Sequence, residues 1–457
     1  MNVAPASLHP PHDLTVLVTA VFARWRAAGI AFLVLRNYES LPRETGNDID
    51  VLVHPKQLAS AERTLCQAAQ SAGYRLHNRV EFAPVSLFFF HPDSLQQIQF
   101  DLFHELAWRG FKLQDPGALL ERRIERDGLA VPHPADEAVN SLVTRLMYQG
   151  AVKEKYHAVI RAGFQSHPAE TAAQLTAMFG ASLAGKLTAA VAQQNWRAIA
   201  ALHHPLRRQL IWRRLTREPV NTSARWLKDL CRFAGRLRHP PGWTVVLVGA
   251  DGCGKSTAAE QLADALRGTF HPNKSLRVHW KPAVFLRQRR AARPATTAPH
   301  ALPPRNALVS LGLLVYHWIE FCVGAFVQFL PARFRNGLVL IDRYHYDFVV
   351  DPRRFRLAAW PRLARLLFRL LPKPDRVFVL DAPAEVLQSR KREVPLVETK
   401  RQREAYLSYP GALPCARIVD ASQCADAVVA ELTRDTLNRL AARQERRQLP
   451  PATGVSP

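Results

Sequence analysis

The sequence predicts an α/β protein of two unlike halves. A C-terminal parallel sheet with flanking helices is preceded by a smaller α/β domain and a helical segment. Three observations predict this. An apolar, β-branched run at 244–248 leads into a glycine-rich loop and then a helical pattern. Two further apolar runs, 338–342 and 374–383, each carry an aspartate at their far end. Near the N-terminus, a short apolar strand opens on two alternate aspartates, and a third aspartate lies inside a later strand.

The 457 residues are enough for two or three domains, each burying its own core. Residues 1–115 read as one α/β unit: helix at 14–28, strands at 30–35 and 49–53, helix at 56–72, strands at 85–90 and 98–103. Residues 116–240 carry mainly helical signals, at 136–149 and 169–194, with Pro132 and Pro134 at the start of the first. His239-Pro240-Pro241-Gly242 marks a boundary. Residues 241–446 form the second α/β unit, with an Arg/Pro/Ala/Thr-rich stretch at 287–306 that reads as a flexible insertion. Residues 447–457 read as a disordered tail.

Charge and cysteines bound the partners. Sixty-two Lys and Arg against 38 Asp and Glu leave +24. Residues 1–150 net −2, so the excess lies beyond them. A basic C-terminal two-thirds suits phosphorylated ligands or an anionic surface. Nucleic acid is not expected, because the basic segments lack interleaved aromatics. Six scattered cysteines without a C-x-x-C pair argue against zinc and disulfides and suit a cytoplasmic setting. The apolar stretch 307–330 is long enough to span a bilayer, yet it carries His317, Glu320 and Gln328. It is expected to be one or two buried helices. At 360–371 the arginines 362, 365 and 369 oppose a leucine-rich face, a pattern suited to core packing or to peripheral contact with an anionic membrane. A homodimer is also among the expectations.

The loop Gly249-Ala250-Asp251-Gly252-Cys253-Gly254-Lys255-Ser256-Thr257 fits G-x-x-x-x-G-K-[ST] between a strand and a helix. Its glycines let backbone N–H groups turn inward, and the helix N-terminus adds positive charge, so the loop suits ATP. Lys255 has the reach for the β- and γ-phosphates, and the Ser256 hydroxyl suits Mg2+. Asp342, ending its strand before Arg343-Tyr344, is placed to hold the same ion. Pro374-Asp375 opens a strand ending at Asp381, and Arg390, Arg392 and residues up to 403 make a basic segment. Together these motifs resemble the thymidylate kinase family of P-loop NTPases over about 243–436. The resemblance implies that Asp251 faces the acceptor's sugar, that Asp342 and Arg343 sit at the reacting phosphates, and that Arg390 or Arg392 is the lid arginine. Where that family has Arg-Glu-Pro-Gly, this chain has His279-Trp280-Lys281-Pro282, with Lys281 able to meet a phosphate.

Gly46-Asn47-Asp48-Ile49-Asp50 puts two carboxylates on one face of a strand, and Asp101 lies in another. Three converging carboxylates suit two magnesium ions. The pattern resembles the nucleotidyltransferase superfamily over about 14–115, although Leu35-Arg36-Asn37-Tyr38 replaces its Gly-Ser. The functional expectation is ATP-dependent phosphoryl transfer to a small phosphorylated acceptor, by default a nucleoside monophosphate such as dTMP. The alternatives are a kinase acting on a non-nucleotide, sugar- or polysaccharide-related acceptor, metal-dependent nucleotidyl transfer as the principal activity, and a non-catalytic ATP-binding regulatory protein.

Overall fold

A computed structural model describes residues 14–43, 48–282, 284, 303–357, 361–392 and 394–448. Gly46, Asn47, Trp360, Glu393, residues 287–302 of the insertion expected at 287–306 and the tail from 449 onward lie outside the described residues. The chain divides into two compact units, Met1–Gly235 and Arg236–Pro457.

The first unit begins with α1 (Leu14–Ala27), β1 (Phe32–Val34), β2 (Ile49–Val53), α2 (Leu58–Ser71), β3 (Arg75–Glu81), β4 (Val85–Phe90) and β5 (Gln97–Phe103). Its sheet runs β1-β2-β5-β4-β3. Only β2 and β5 pair in parallel, and their register sets Asp50 beside Asp101. β4 is buried along its whole length, and Phe89 meets Phe100 edge to face across the β4–β5 pair. β3 carries Arg-Leu-His-Asn-Arg-Val-Glu. That string lacks the apolar alternation that announces a strand, and it was not among the expected elements.

Two hairpins follow, β6 (Leu106–Trp108) with β7 (Phe111–Gln114) and β8 (Ile124–Arg126) with β9 (Leu129–Val131), separated by α3 (Pro116–Glu121). Asp115 caps α3 by accepting from the Ala118 N–H at 3.0 Å. The segment from 116 is therefore not purely helical. Then come α4 (Pro134–Gln149), α5 (His157–Ser166), α6 (Pro168–Phe179), α7 (Ala181–Ala192), α8 (Trp196–Ala201), α9 (His203–Arg217) and α10 (Pro219–Arg238). The helix expected at 169–194 is two helices. Gly180, at φ +82°, turns the chain where a side chain would be strained. The turn lets α6 and α7 lay Leu175, Phe179, Leu187 and Val191 into one core with α4.

The second unit is a five-stranded parallel sheet in the order β11-β12-β10-β13-β14. Its elements are β10 (Trp243–Val248), α11 (Lys255–Ala265), β11 (Leu276–His279), α12 (Ala307–Gly324) continuing through a π-helical turn into α13 (Leu330–Phe334), β12 (Leu338–Asp342), α14 (Asp347–Val350), α15 (Pro361–Arg369), β13 (Arg376–Asp381), α16 (Ala384–Arg390), α17 (Leu396–Ser408), β14 (Ala416–Asp420) and α18 (Ala425–Gln448). β10, β12 and the first five residues of β13 are buried, as apolar strands covered on both faces must be. β10 lies centrally, and the chain passes to one side of it for β11 and β12 and to the other for β13 and β14. In such sheets the crevice for ligands opens at the strands' C-terminal ends beside that reversal. α18 extends to Gln448, two residues into the stretch expected as tail.

The helix predicted at 307–330 runs unbroken over Ala307–Phe334. Asn306 caps it by accepting from the Val309 N–H at 2.8 Å. Burial holds for one face only. Leu314, Glu320, Phe321, Ala325 and Phe329 are buried, whereas Leu308, Val315, Ile319 and Phe326 are exposed. The apolar sequence gave the expectation of a wholly buried helix, because composition does not say how many faces are covered.

Candidate functional site

In the second unit, register brings the C-terminal ends of three strands together. Leu247 of β10 pairs with Asp342 of β12, and Asp342 pairs with His279 of β11. The loop 249–254 leaves β10 at this edge and enters α11 at Lys255. Three glycines adopt positive φ: Gly249 at 149°, Gly252 at 91° and Gly254 at 85°. A Cβ on Gly249 would lie 2.4 Å from the Leu380 carbonyl, and one on Gly252 2.6 Å from that of Leu387. The loop thus lies against backbone on its outer side and needs glycine there.

The loop's functional side chains are already engaged with one another. Lys255 is buried and donates to the carbonyls of Gly249 and Ala250, each at 2.9 Å. The Ser256 hydroxyl donates to Asp342 Oδ2 at 3.0 Å, and His279 Nδ1 lies 3.1 Å from the same oxygen. Asp342 Oδ1 is buried and makes no hydrogen bond. Burial alone would raise the Asp342 pKa, but the His279 hydrogen bond and the charges of Lys255 and Arg343 outweigh it and hold the carboxyl below its ordinary value. Cys253 packs behind the loop, fully buried, and burial pushes its thiol up. Thr257 follows Ser256 in the first turn of α11.

Asp251 has two arginine partners. Arg343 donates to Oδ1, and Arg354 donates to Oδ2 at 2.6 Å. Burial opposes ionisation, but Lys255, Arg343 and Arg354 hold the carboxyl far below the usual range. Arg343 also reaches Asp347 Oδ2 at 3.3 Å, and Asp347 accepts from the Tyr406 hydroxyl at 2.8 Å. The sequence placed Asp251 and Arg343 at the site. It missed Arg354, which spacing alone does not tie to a loop 103 residues earlier.

Two expectations for other cations change. Lys281 Nζ is 2.8 Å from Oε2 of the fully buried Glu320 on α12, so its charge is used inside the protein rather than offered to a phosphate. A buried carboxylate needs such a partner. Arg390 ends α16 and donates to the Ala421 carbonyl at 2.7 Å. Arg392 is exposed two residues on. Farther along the basic segment, Arg403 clasps Asp381 through two hydrogen bonds of 2.7 and 2.8 Å.

In the first unit, one oxygen from each of Asp48, Asp50 and Asp101 lies within 4.8 Å of the others. Arg36 donates to Asp50 Oδ2 at 2.5 Å, while Asp50 Oδ1 is buried without a hydrogen bond. Burial pushes the Asp50 carboxyl up to about 6, despite the opposing charge of Arg36. Asp101 is raised too, chiefly by burial. Raised carboxyls crowded with an open oxygen form a donor set suited to a hard divalent cation.

No family model matches the chain, and no curated protein matches it. Among solved structures, the thymidylate kinase of Candida albicans, reported to reveal the origin of broad substrate specificity and a novel structural element, aligns with a TM-score of 0.32 at 17% identity. The alignment covers 44% of this chain and 93% of that one.

Proposed function

We propose that the C-terminal unit catalyses ATP- and Mg2+-dependent phosphoryl transfer to a small phosphorylated acceptor, with a nucleoside monophosphate such as dTMP as the default substrate. The observation that carries this reading is the meeting of Lys255, Ser256 and Asp342 at the C-terminal ends of β10 and β12, beside a loop that needs glycine at 249 and 252. A hydroxyl and a carboxylate are hard oxygen ligands, and the unpartnered Asp342 Oδ1 fits them to magnesium. When bound, that ion neutralises charge on phosphate oxygens. Lys255 exchanges its two carbonyl acceptors for the β- and γ-phosphate oxygens, which are better partners for an ammonium. The loop N–H groups and the α11 N-terminus hold the remaining phosphate charge. Arg392, exposed just after α16, brings further positive charge from the segment after β13, and catalysis consists of positioning and charge stabilisation.

The test is ADP formation from ATP with a panel of nucleoside monophosphates. Lys255→Ala is expected to lower turnover at least about a hundredfold while leaving the fold intact, the scale of losing one preorganised charge. Full activity in that variant rejects the assignment. ATP binding without ADP formation by the unaltered protein identifies a non-catalytic binder instead.

A separate observation favours a second reading for the N-terminal unit. Asp48, Asp50 and Asp101 converge around an unpaired buried oxygen, which supports metal-dependent nucleotidyl transfer. This activity releases pyrophosphate. Release should be lost in Asp48→Ala and kept in Lys255→Ala, and the reverse pattern would assign it to the other unit.

A further inference from the structure

One helix, Ala307–Phe334, is long and apolar enough to cross a bilayer, yet only 28% of its most apolar stretch is buried. Its covered face carries Leu314, Phe321, Ala325 and Phe329 in the core of the second unit, and the buried Glu320 on that face is tied to Lys281. A helix anchored this way packs one face into the second unit and leaves the other uncovered. The outer face has Leu308, Gly312, Val315, Ile319, Phe326 and Val327 exposed. Leu308 is 80% and Phe326 68% accessible. These positions follow at steps of four, three, four and seven residues, which keeps them on one helical face, with Val327 added at the π-helical turn, and none of them bears a hydrogen-bonding side chain. At 1.5 Å per residue the strip from Leu308 to Val327 is about 30 Å long. An apolar strip of this length is beyond ordinary surface scatter.

α15 lies directly beside it. The Trp318 indole, next to exposed Ile319, donates to the Leu367 carbonyl at 2.9 Å, and Leu367 follows exposed Leu366. Leu366 and Leu370 therefore continue the apolar strip. Arg362, Arg365 and Arg369 are exposed on the same helix, and none is paired with a carboxylate among the described residues. Arg365 lies over the Tyr409 ring, 5.9 Å from its centroid. Apolar side chains flanked by arginines that have no carboxylate partner are what the interfacial layer of an anionic bilayer takes up. A second copy of the chain fits less well. It would bring together two molecules of formal charge +24, and the strip offers none of the direct hydrogen bonds that protein interfaces carry.

We propose that the outer face of Ala307–Phe334 together with α15 docks the protein peripherally on an anionic lipid surface. The apolar strip enters the acyl boundary, and the three arginines meet lipid phosphates. The second unit would then work at a membrane surface, with the face opposite the strip holding Lys281 and Glu320 in its core.

Sedimentation of the full chain with vesicles tests this. Binding is expected to be at least about tenfold stronger to equal parts phosphatidylglycerol and phosphatidylcholine than to phosphatidylcholine alone, and to weaken as salt rises. Replacing Arg362, Arg365 and Arg369 together by glutamine should lower binding roughly a hundredfold. Phe326→Ser with Leu366→Ser should lower it about tenfold or more. Both variants alter only exposed side chains away from the loop 249–257, so ATP turnover in solution should stay unchanged and report an intact fold. Equal binding to both vesicle types, no binding to either, or binding indifferent to these substitutions overturns the proposal. So does a stable dimer by light scattering that the serine variant dissociates, because the strip would then belong to a second copy.

Discussion

Gly252 and Gly254 separate two reasons why a loop needs glycine. Both sit at positive φ, where a side chain costs about 1–2 kcal/mol. A Cβ on Gly254 meets nothing within 4 Å, whereas one on Gly252 would press on the Leu387 backbone carbonyl at 2.6 Å. Gly254→Ala should therefore weaken ATP binding modestly, by up to about tenfold, through strain alone. Gly252→Ala must also shift either the loop or the middle of α16, and its affinity should fall at least about tenfold further. Calorimetric titration with ATP distinguishes them, and equal losses would show that the Leu387 contact is not limiting. The spacing of the loop made Lys255 and Ser256 legible in the sequence, and the strand end made Asp342 legible. The closure of Arg343 and Arg354 on Asp251 was not, because it joins residues about a hundred positions apart with no periodic signal. The role of Lys281 was misread for a related reason. Its partner Glu320 lies on a helix whose apolar composition conceals one buried carboxylate.

At the level of elements, α10 is held to the first unit by charge. Lys228 Nζ lies 2.7 Å from Glu105 Oε1, and the nearly buried Arg232 bonds Glu81 at 3.1 Å. The His104 hydrogen bond, with help from Lys228, holds the Glu105 carboxyl at about 2 even though burial opposes it. The folded pKa is below the unfolded one, so this stabilisation is complete above the ordinary glutamate value near 4.5. It is lost as pH falls from there through about 2. Glu105→Gln should cost on the order of 2 kcal/mol at pH 7, allowing for partial solvent screening. Urea midpoints at pH 7 and pH 3 check the sign. The gap between variant and unaltered protein must shrink on acidification, and a gap that widens refutes the pairing. Elements announced by strong periodicity, such as β4 and β10, were readable beforehand. β3 was not, because His77 and Asn78 are buried in a strand without alternation, and the break at Gly180 was hidden inside an apolar helical run.

At the level of the whole molecule, the two units have separate cores. Leu65, Phe89 and Phe100 anchor one, and Val246, Phe321 and Ile341 the other. The proposed ATP site lies wholly within Arg236–Pro457. A ligand that binds only the folded form adds RT ln(1 + [L]/Kd), about 2.7 kcal/mol at a hundredfold excess over Kd. In a unit of about two hundred residues this corresponds to a rise of roughly 5–10 °C in Tm. Calorimetry with ATP and Mg2+ should therefore show two transitions, of which one moves by that amount. Hydrogen exchange should assign the moving transition to β10, β12 and β13, leaving β2, β4 and β5 unchanged. Lys255→Ala should abolish the shift without lowering either transition in the absence of ligand by more than a few degrees, because the contacts of its side chain, to the Gly249 and Ala250 carbonyls, Cys253 Sγ and Asp251, all lie within the loop, and Asp251 keeps Arg343 and Arg354 as partners. If a single transition appears and rises with ATP and Mg2+, the two units unfold as one cooperative body, and the expectation of independent units is rejected.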